Sequence, residues 1–257
     1  MGRILAITNQ KGGVGKTTTS VNLAASLGAA KRRVLLVDLD PQGNATMGSG
    51  VDKRALKATV YELLIGAETL RTVRVRAPAG EYDLLPANRE LAGAEVEMVD
   101  LERRELRLKE ALREIENEYD FILIDCPPAL NLLTVNGLTA AHAVIIPMQC
   151  EYYALEGLSD LVATIKKVRA NLNPALEIEG LLRTMYDPRN TLAQQVSAQL
   201  IQHFGDKVYR TVIPRNVRLA EAPSHGVPVL NFDKTSKGAL AYLALAGEML
   251  NRYEQAA

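Results

Sequence analysis

A short apolar run, Ile4 to Thr8, opens onto Asn9-Gln10-Lys11-Gly12-Gly13-Val14-Gly15-Lys16-Thr17-Thr18, and a helical pattern follows from Lys16 to Ala30. No other segment limits the fold as strongly. Gly12, Gly13 and Gly15 let the backbone curl with its N–H groups turned inward, and the next helix adds the positive end of its dipole. Such a cradle binds phosphate. Lys16 is placed to reach the β- and γ-phosphates of a nucleotide, and the Thr17 hydroxyl to bind Mg²⁺. The general pattern asks for glycine five residues before the Gly-Lys pair, where this chain has Gln10. A glycine-rich turn with a chance Lys-Thr pair is the competing reading, and the strand-loop-helix setting argues against it. Lys11 is a second lysine beside the phosphates, unless it is merely a solvated surface residue.

The remaining chain repeats this alternation. Strands are expected at Arg33 to Asp38, Tyr82 to Leu85, Phe121 to Asp125, Ala143 to Pro147, Ile178 to Thr184 and Val208 to Ile213. Helices are expected at Thr59 to Ile65, Glu102 to Glu118, Leu155 to Leu172, Thr191 to Phe204 and Ser236 to Tyr253. In the helix from Glu102, Leu106, Leu108, Leu112 and Ile115 line one side. Runs apolar on both faces, such as Val34-Leu35-Leu36-Val37, belong in a buried parallel sheet. The fold class is therefore α/β, a P-loop NTPase with a mostly parallel twisted sheet and helices on both faces. No linker, repeat or low-complexity tract divides the chain, so residues 1–257 are expected to form a single domain. Ligands of such sheets sit at the carboxyl ends of the strands.

Carboxylates stand at those ends. Asp38 closes the second strand, and Asp40 lies two residues on, in Asp38-Leu39-Asp40-Pro41-Gln42-Gly43-Asn44. Asp38 reads as the structural partner, and Asp40 as the residue able to orient a water at the γ-phosphate. The alternative is a plain turn, which selects the same residue types. Asp125 ends an apolar strand, the usual place for a carboxylate that holds Mg²⁺, often through water. It could instead cap the next segment.

Bulk properties narrow the class further. Thirty basic and thirty acidic residues cancel, which argues against a nucleic-acid coat protein but allows a local basic patch. Cys126 and Cys150 make neither a zinc motif nor a disulfide framework, and a reduced cytoplasmic setting is expected. Met1-Gly2-Arg3 leads into a run too short for a signal peptide, and no stretch reaches the roughly 18 apolar residues of a membrane span. His142, His203 and His225 lack ligand spacing, and Tyr152-Tyr153 reads as packing.

Lys11 to Thr18, Asp38 to Asn44 and Asp125-Cys126-Pro127-Pro128 together resemble the ParA/MinD superfamily of deviant Walker A ATPases. Gln149-Cys150-Glu151-Tyr152-Tyr153-Ala154-Leu155-Glu156-Gly157 and the segment Thr211 to Ser224 are similar to the chromosomal ParA, or Soj, proteins. The likeness runs nearly end to end, with Ala220 standing where the family often has serine. It implies a weak, Mg²⁺-dependent ATPase that dimerises around two ATP molecules, with Lys11 reaching the nucleotide of the other subunit. Lys11, Lys16 and Asp40 would carry the catalysis, and residues 11–18 the phosphates. Met185, Asp187, Pro214 and Asn216 would frame the adenine. Asn44 belongs to the motif, and Glu151 would line the dimer face. The ATP dimer would bind double-stranded DNA without sequence preference through Arg189 and Arg218, with Lys234 and Lys237 as weaker candidates. A ParB-type centromere-binding partner would stimulate hydrolysis and release the DNA, giving a cytoplasmic, nucleoid-associated protein. A MinD-like membrane-cycling ATPase is the alternative, but the end of the chain, Met249 to Ala257, has one arginine where a basic amphipathic tail is needed. An iron–sulfur ATPase and a non-hydrolysing scaffold fit less well.

Overall fold

The computed structural model describes residues 2–256. The chain runs β1 (Arg3–Ile7), α1 (Lys16–Ala29), β2 (Val34–Asp38), α2 (Asn44–Gly48), α3 (Val60–Ile65), α4 (Leu70–Val73), β3 (Val75–Arg76), β4 (Asp83–Leu85) and α5 (Leu91–Glu97). It continues α6 (Arg107–Arg113), β5 (Phe121–Asp125), α7 (Leu132–Ala140), β6 (Ala143–Gln149), α8 (Ala154–Asn171) and β7 (Glu177–Tyr186). It ends α9 (Thr191–Phe204), β8 (Val208–Pro214), α10 (Val217–Glu221), α11 (Val229–Phe232) and α12 (Lys237–Ala256).

The strands form one sheet in the order β3-β4-β2-β5-β1-β6-β7-β8, parallel except where β3 meets β4. Alternate residues of each strand face opposite sides. Ile4, Ala6, Leu35, Val37, Ile122 and Ile124 join a core covered by α3 and α5 to α9. Leu5, Ile7, Leu36 and Leu123 join the other core, under α1 and α12. The register sets the site. Ile7 pairs with Asp125, and Asp125 with Asp38, so three strand ends finish in one row.

The α/β architecture expected from the alternating runs is the one observed. The helix expected at Glu102 to Glu118 is shorter, however. Only Arg107–Arg113 is α-helical, between 3-10 turns at Arg104–Leu106 and Glu116–Glu118. Leu108, Leu112 and Ile115 are buried as the pattern requires, while Arg103 takes a left-handed φ of 57° that breaks the helix on its amino side. Helices α5 and α7 were not apparent from periodicity. Both are short, and α7 is buried nearly all round, Thr134, Asn136 and Thr139 included, so no exposed polar face marks its period. In α12, Ala239, Tyr242, Leu245, Ala246 and Met249 pack into the core. Among the described residues no helix is long and apolar enough to cross a membrane.

Candidate nucleotide site

The loop between β1 and α1 is anchored at its start. Asn9 donates from Nδ2 to the Pro147 carbonyl at 2.8 Å, and its Oδ1 accepts from the Lys11 N–H at 3.0 Å. Farther on, Thr184 donates to the Val14 carbonyl at 2.8 Å. Gly13 and Gly15 take left-handed φ values of 73° and 87°, which an L side chain rarely adopts, so the curl needs glycine at both. Helix α1 then begins with no side-chain cap and no acid in its first turn. Its amino end is left open to an anion.

The two lysines are placed differently. Lys16 is buried, and its Nζ donates to the Lys11 carbonyl at 3.1 Å across the loop. Burial lowers its pKa, and the Asp125 carboxylate opposes that. Lys11 turns outward, with its Nζ 2.6 Å from Oε2 of Glu151 and both side chains about half exposed. Thr17 and Thr18 are partly buried at the start of α1.

The carboxylates are held in distinct ways. Asp38 accepts from the Asp40 N–H at 3.1 Å, the Thr46 N–H at 2.8 Å and the Thr46 hydroxyl at 2.7 Å. Burial pushes its pKa up, and these bonds hold it down. All three bonds tie Asp38 to the Asp40 loop and to the start of α2. Thr46 also accepts from the Ala87 N–H at 2.9 Å. Replacing Thr46 by valine should leave both neighbours short of a partner and cost about 2–4 kcal/mol. A lowered urea midpoint with an unchanged slope would measure this.

Asp125 accepts from the Ser20 hydroxyl at 2.8 Å on one oxygen, while its buried Oδ2 has no partner. Burial raises its pKa, and the Asp38 carboxylate beside it adds to the rise. A divalent cation relieves both effects. The donors around it are hard oxygens, so the residues fit Mg²⁺. Asp40 is partly buried, and its Oδ1 accepts from the Gln42 N–H at 2.9 Å. Asn44 opens α2 with its side chain exposed.

Beyond α1 lies a cavity of 230 Å³ lined by Gly15, Thr18, Met185, Pro214, Asn216 and Tyr242, among others. Three of the four residues expected around the adenine are therefore together. Met185 holds a left-handed φ of 48°, unusual for a long side chain and often a mark of a binding site. The fourth, Asp187, is not in the lining. Arg189 grips it with two bonds, Nε to Oδ1 at 3.0 Å and Nη2 to Oδ2 at 2.8 Å, which push the Asp187 carboxyl down to about 2. Tyr186 pairs with Pro214, so the loops after β7 and β8 lie side by side. Arg218 is also engaged, 2.8 Å from Glu221 and 3.4 Å from Asp233. Lys234 and Lys237 are exposed nearby in sequence.

Sequence reading missed several contributors. Ser20 and Thr46 position the carboxylates, and Tyr242 and the exposed Arg215 join the cavity from distant segments. Only Ser20 had a local signal, one helical turn after Lys16. Tyr152 and Tyr153, expected to pack, are 75% and 68% exposed and touch edge to face at 5.0 Å. They follow Glu151 at the start of α8, where the chain leaves the sheet.

A parallel sheet, a glycine cradle with a buried lysine and an orphaned strand-end carboxylate define a P-loop ATPase. A family model described as an AAA domain matches residues 2–178. The sporulation initiation inhibitor protein Soj of Bacillus subtilis is 55% identical over 249 residues, covering 97% of this chain and 98% of its own. The chromosome partitioning protein ParA of Caulobacter vibrioides is 51% identical over 252 residues, covering 97% and 94%. A structure from Mycobacterium smegmatis, described as a cobyrinic acid a,c-diamide synthase with bound ADP and magnesium, superposes with a TM-score of 0.87 at 41% identity, covering 100% of this chain and 97% of that one. The chain belongs to the ParA/Soj family of chromosome-partitioning ATPases.

Proposed function

We propose that this ATPase is a partitioning switch in which ATP joins two copies and hydrolysis parts them. ATP with Mg²⁺ is the nucleotide. The loop amides of residues 12–18 and Lys16 hold its phosphates, while Met185, Pro214 and Asn216 frame the base. Thr17 and, through water, Asp125 hold the ion, which when bound neutralises charge on the phosphates. Asp40 orients the attacking water, and Asp38 keeps the Asp40 loop in place.

One observation carries the dimer reading. Lys16 lies inside its own cradle, whereas the ammonium of Lys11 leaves it and meets Glu151 at the exposed rim. A lysine so placed can serve a phosphate presented by a second subunit. Such an exposed pair is worth at most about 1 kcal/mol, so a triphosphate can displace Glu151 readily. Lys11→Ala should therefore keep ATP binding and lose the ATP-dependent dimer. Light scattering with and without ATP tests this, and an intact dimer in the variant would sink the trans role.

The ATP dimer binds double-stranded DNA without sequence preference through Arg189 and Arg218, and a ParB-type partner accelerates hydrolysis and release. The names carried by the Bacillus and Caulobacter relatives support this reading. It implies a cytoplasmic, nucleoid-associated protein with no stable hold on membranes.

A further inference from the structure

A cavity of about 1000 Å³ lies at the β8 edge of the sheet, between the end of α9 and α12. Three arginines line it, Arg183, Arg210 and Arg252, with two carboxylates, Asp206 and Glu248. One pair is already spent. Glu248 accepts from Arg252 at 2.8 Å and from the N–H groups of Arg210 and Thr211, each at 2.8 Å. Asp206 and the Arg210 side chain are exposed and offset each other in charge, and the exposed Lys207 adds a further cation next to Asp206. The charge left over in the wall is that of Arg183.

Arg183 is 8% exposed and sits at a break in strand pairing. Leu181 pairs with Val208 and Arg183 with Val212, so two steps along β7 span four along β8. Nη2 of Arg183 donates to the Tyr209 carbonyl at 2.7 Å and to the Arg210 carbonyl at 3.1 Å, and Nη1 to the Ser197 hydroxyl at 2.8 Å. The Tyr186 ring lies 5.7 Å from the guanidinium. All of these companions are neutral. The buried Nε–H has no acceptor, and no ion pair among the described residues includes Arg183. Stitching two carbonyls needs only a donor. A guanidinium keeps its charge, and a charge taken out of water calls for a counter-charge.

Helix α12 keeps the cavity open. Ala244, Gly247 and Asn251 line it at i, i+3 and i+7, the spacing of one helix face. A Cβ on Gly247 would meet nothing within 4 Å, and Gly247 has no left-handed φ. Glycine disfavours a helix interior relative to alanine, so neither packing nor backbone calls for it here. Ile201, 48% exposed, adds an apolar wall.

We infer that this cavity is a binding site for a small organic phosphate, its phosphate between Arg210 and the buried charge of Arg183 and its organic part against Ile201 and Gly247. A phosphate monoester carries about −1.5 to −2 charge at pH 7 and three acceptor oxygens, which suits two arginines. The volume and the few polar groups on a partly apolar wall suit a small molecule.

The probe is phenyl phosphate, titrated by calorimetry into the full chain saturated with Mg-ADP, which fills the nucleotide site. It should bind the wild type. Arg210→Glu, which alters an exposed side chain, should bind at least about tenfold more weakly, the size of a lost charge-assisted bond. Gly247→Leu should keep or raise the melting temperature and weaken binding as much, because its side chain fills the space. Arg183→Leu should lose binding as well, and the other two variants decide the matter if that chain fails to fold. No binding by the wild type, or unchanged affinity in Arg210→Glu or Gly247→Leu, overturns the site. Inorganic phosphate binding as tightly as phenyl phosphate overturns the organic part of the ligand. Competition by a short DNA duplex would make the cavity part of a nucleic-acid surface and overturn the small-molecule assignment.

Discussion

Replacing Asp40 by alanine should lower ATP turnover by at least about 100-fold while leaving ATP affinity nearly unchanged, because holding a nucleophile in line is a positioning effect of that size. The geometry separates the carboxylates. Asp38 accepts three bonds, two from Thr46 and one from Asp40, which tie it to the loop. Asp125 is fully buried behind Ser20, with its Oδ2 unpartnered. Asp40 alone is partly open to the site. The Asp40→Ala chain should accumulate as an ATP-bound dimer, since in the proposed cycle assembly needs the phosphates and hydrolysis ends it. Single-turnover phosphate release and light scattering on one sample would read both effects. Wild-type turnover in this variant would remove Asp40 from the mechanism.

The second large effect concerns DNA. The formal net charge is zero, so long-range attraction to a polyanion is weak and affinity must come from placed cations. Two arginines per subunit give four in a dimer, and removing them should weaken duplex binding on the order of 10³-fold at low salt and flatten the slope of log K against log salt by about 3.6, at about 0.9 per phosphate contact. The loss should be alike for all sequences, because phosphate contacts carry no base information. In this structure neither cation is idle. Asp187 holds Arg189, and Glu221 and Asp233 hold Arg218. DNA bound through these arginines as proposed would displace those carboxylates, so Asp187→Asn and Asp233→Asn should tighten binding. Filter binding across a salt series, with ATP and with ADP, measures each effect. An ADP form that binds as tightly as the ATP form would contradict the dimer switch, and asparagine variants that bind more weakly would contradict displacement.

Much of this was legible in the chain itself, for local reasons. The phosphate loop depends on glycines at positions whose φ excludes most side chains, and on a helix that starts one residue later. The buried parallel strands announce themselves as apolar runs ended by aspartate, as in Phe121 to Asp125. Elements without a clean period escaped. Helix α7 is buried nearly all round and shows no exposed polar face, and the helix expected from Glu102 is broken by the left-handed Arg103.

The sequence by itself determined the class of site, because phosphate binding uses consecutive backbone amides and strand ends that a linear motif specifies. Tertiary structure alone decided which groups face one another. The register of β1, β5 and β2 brings Ile7, Asp125 and Asp38 into line, and Tyr242 reaches Thr19 at 3.1 Å from the far end of the chain. It also decided that Lys11 meets Glu151, that Arg189 is spent on Asp187, and that Tyr152, Tyr153 and Val96 face water. Burial and pairing are properties of neighbours distant in sequence, and no local spacing encodes them.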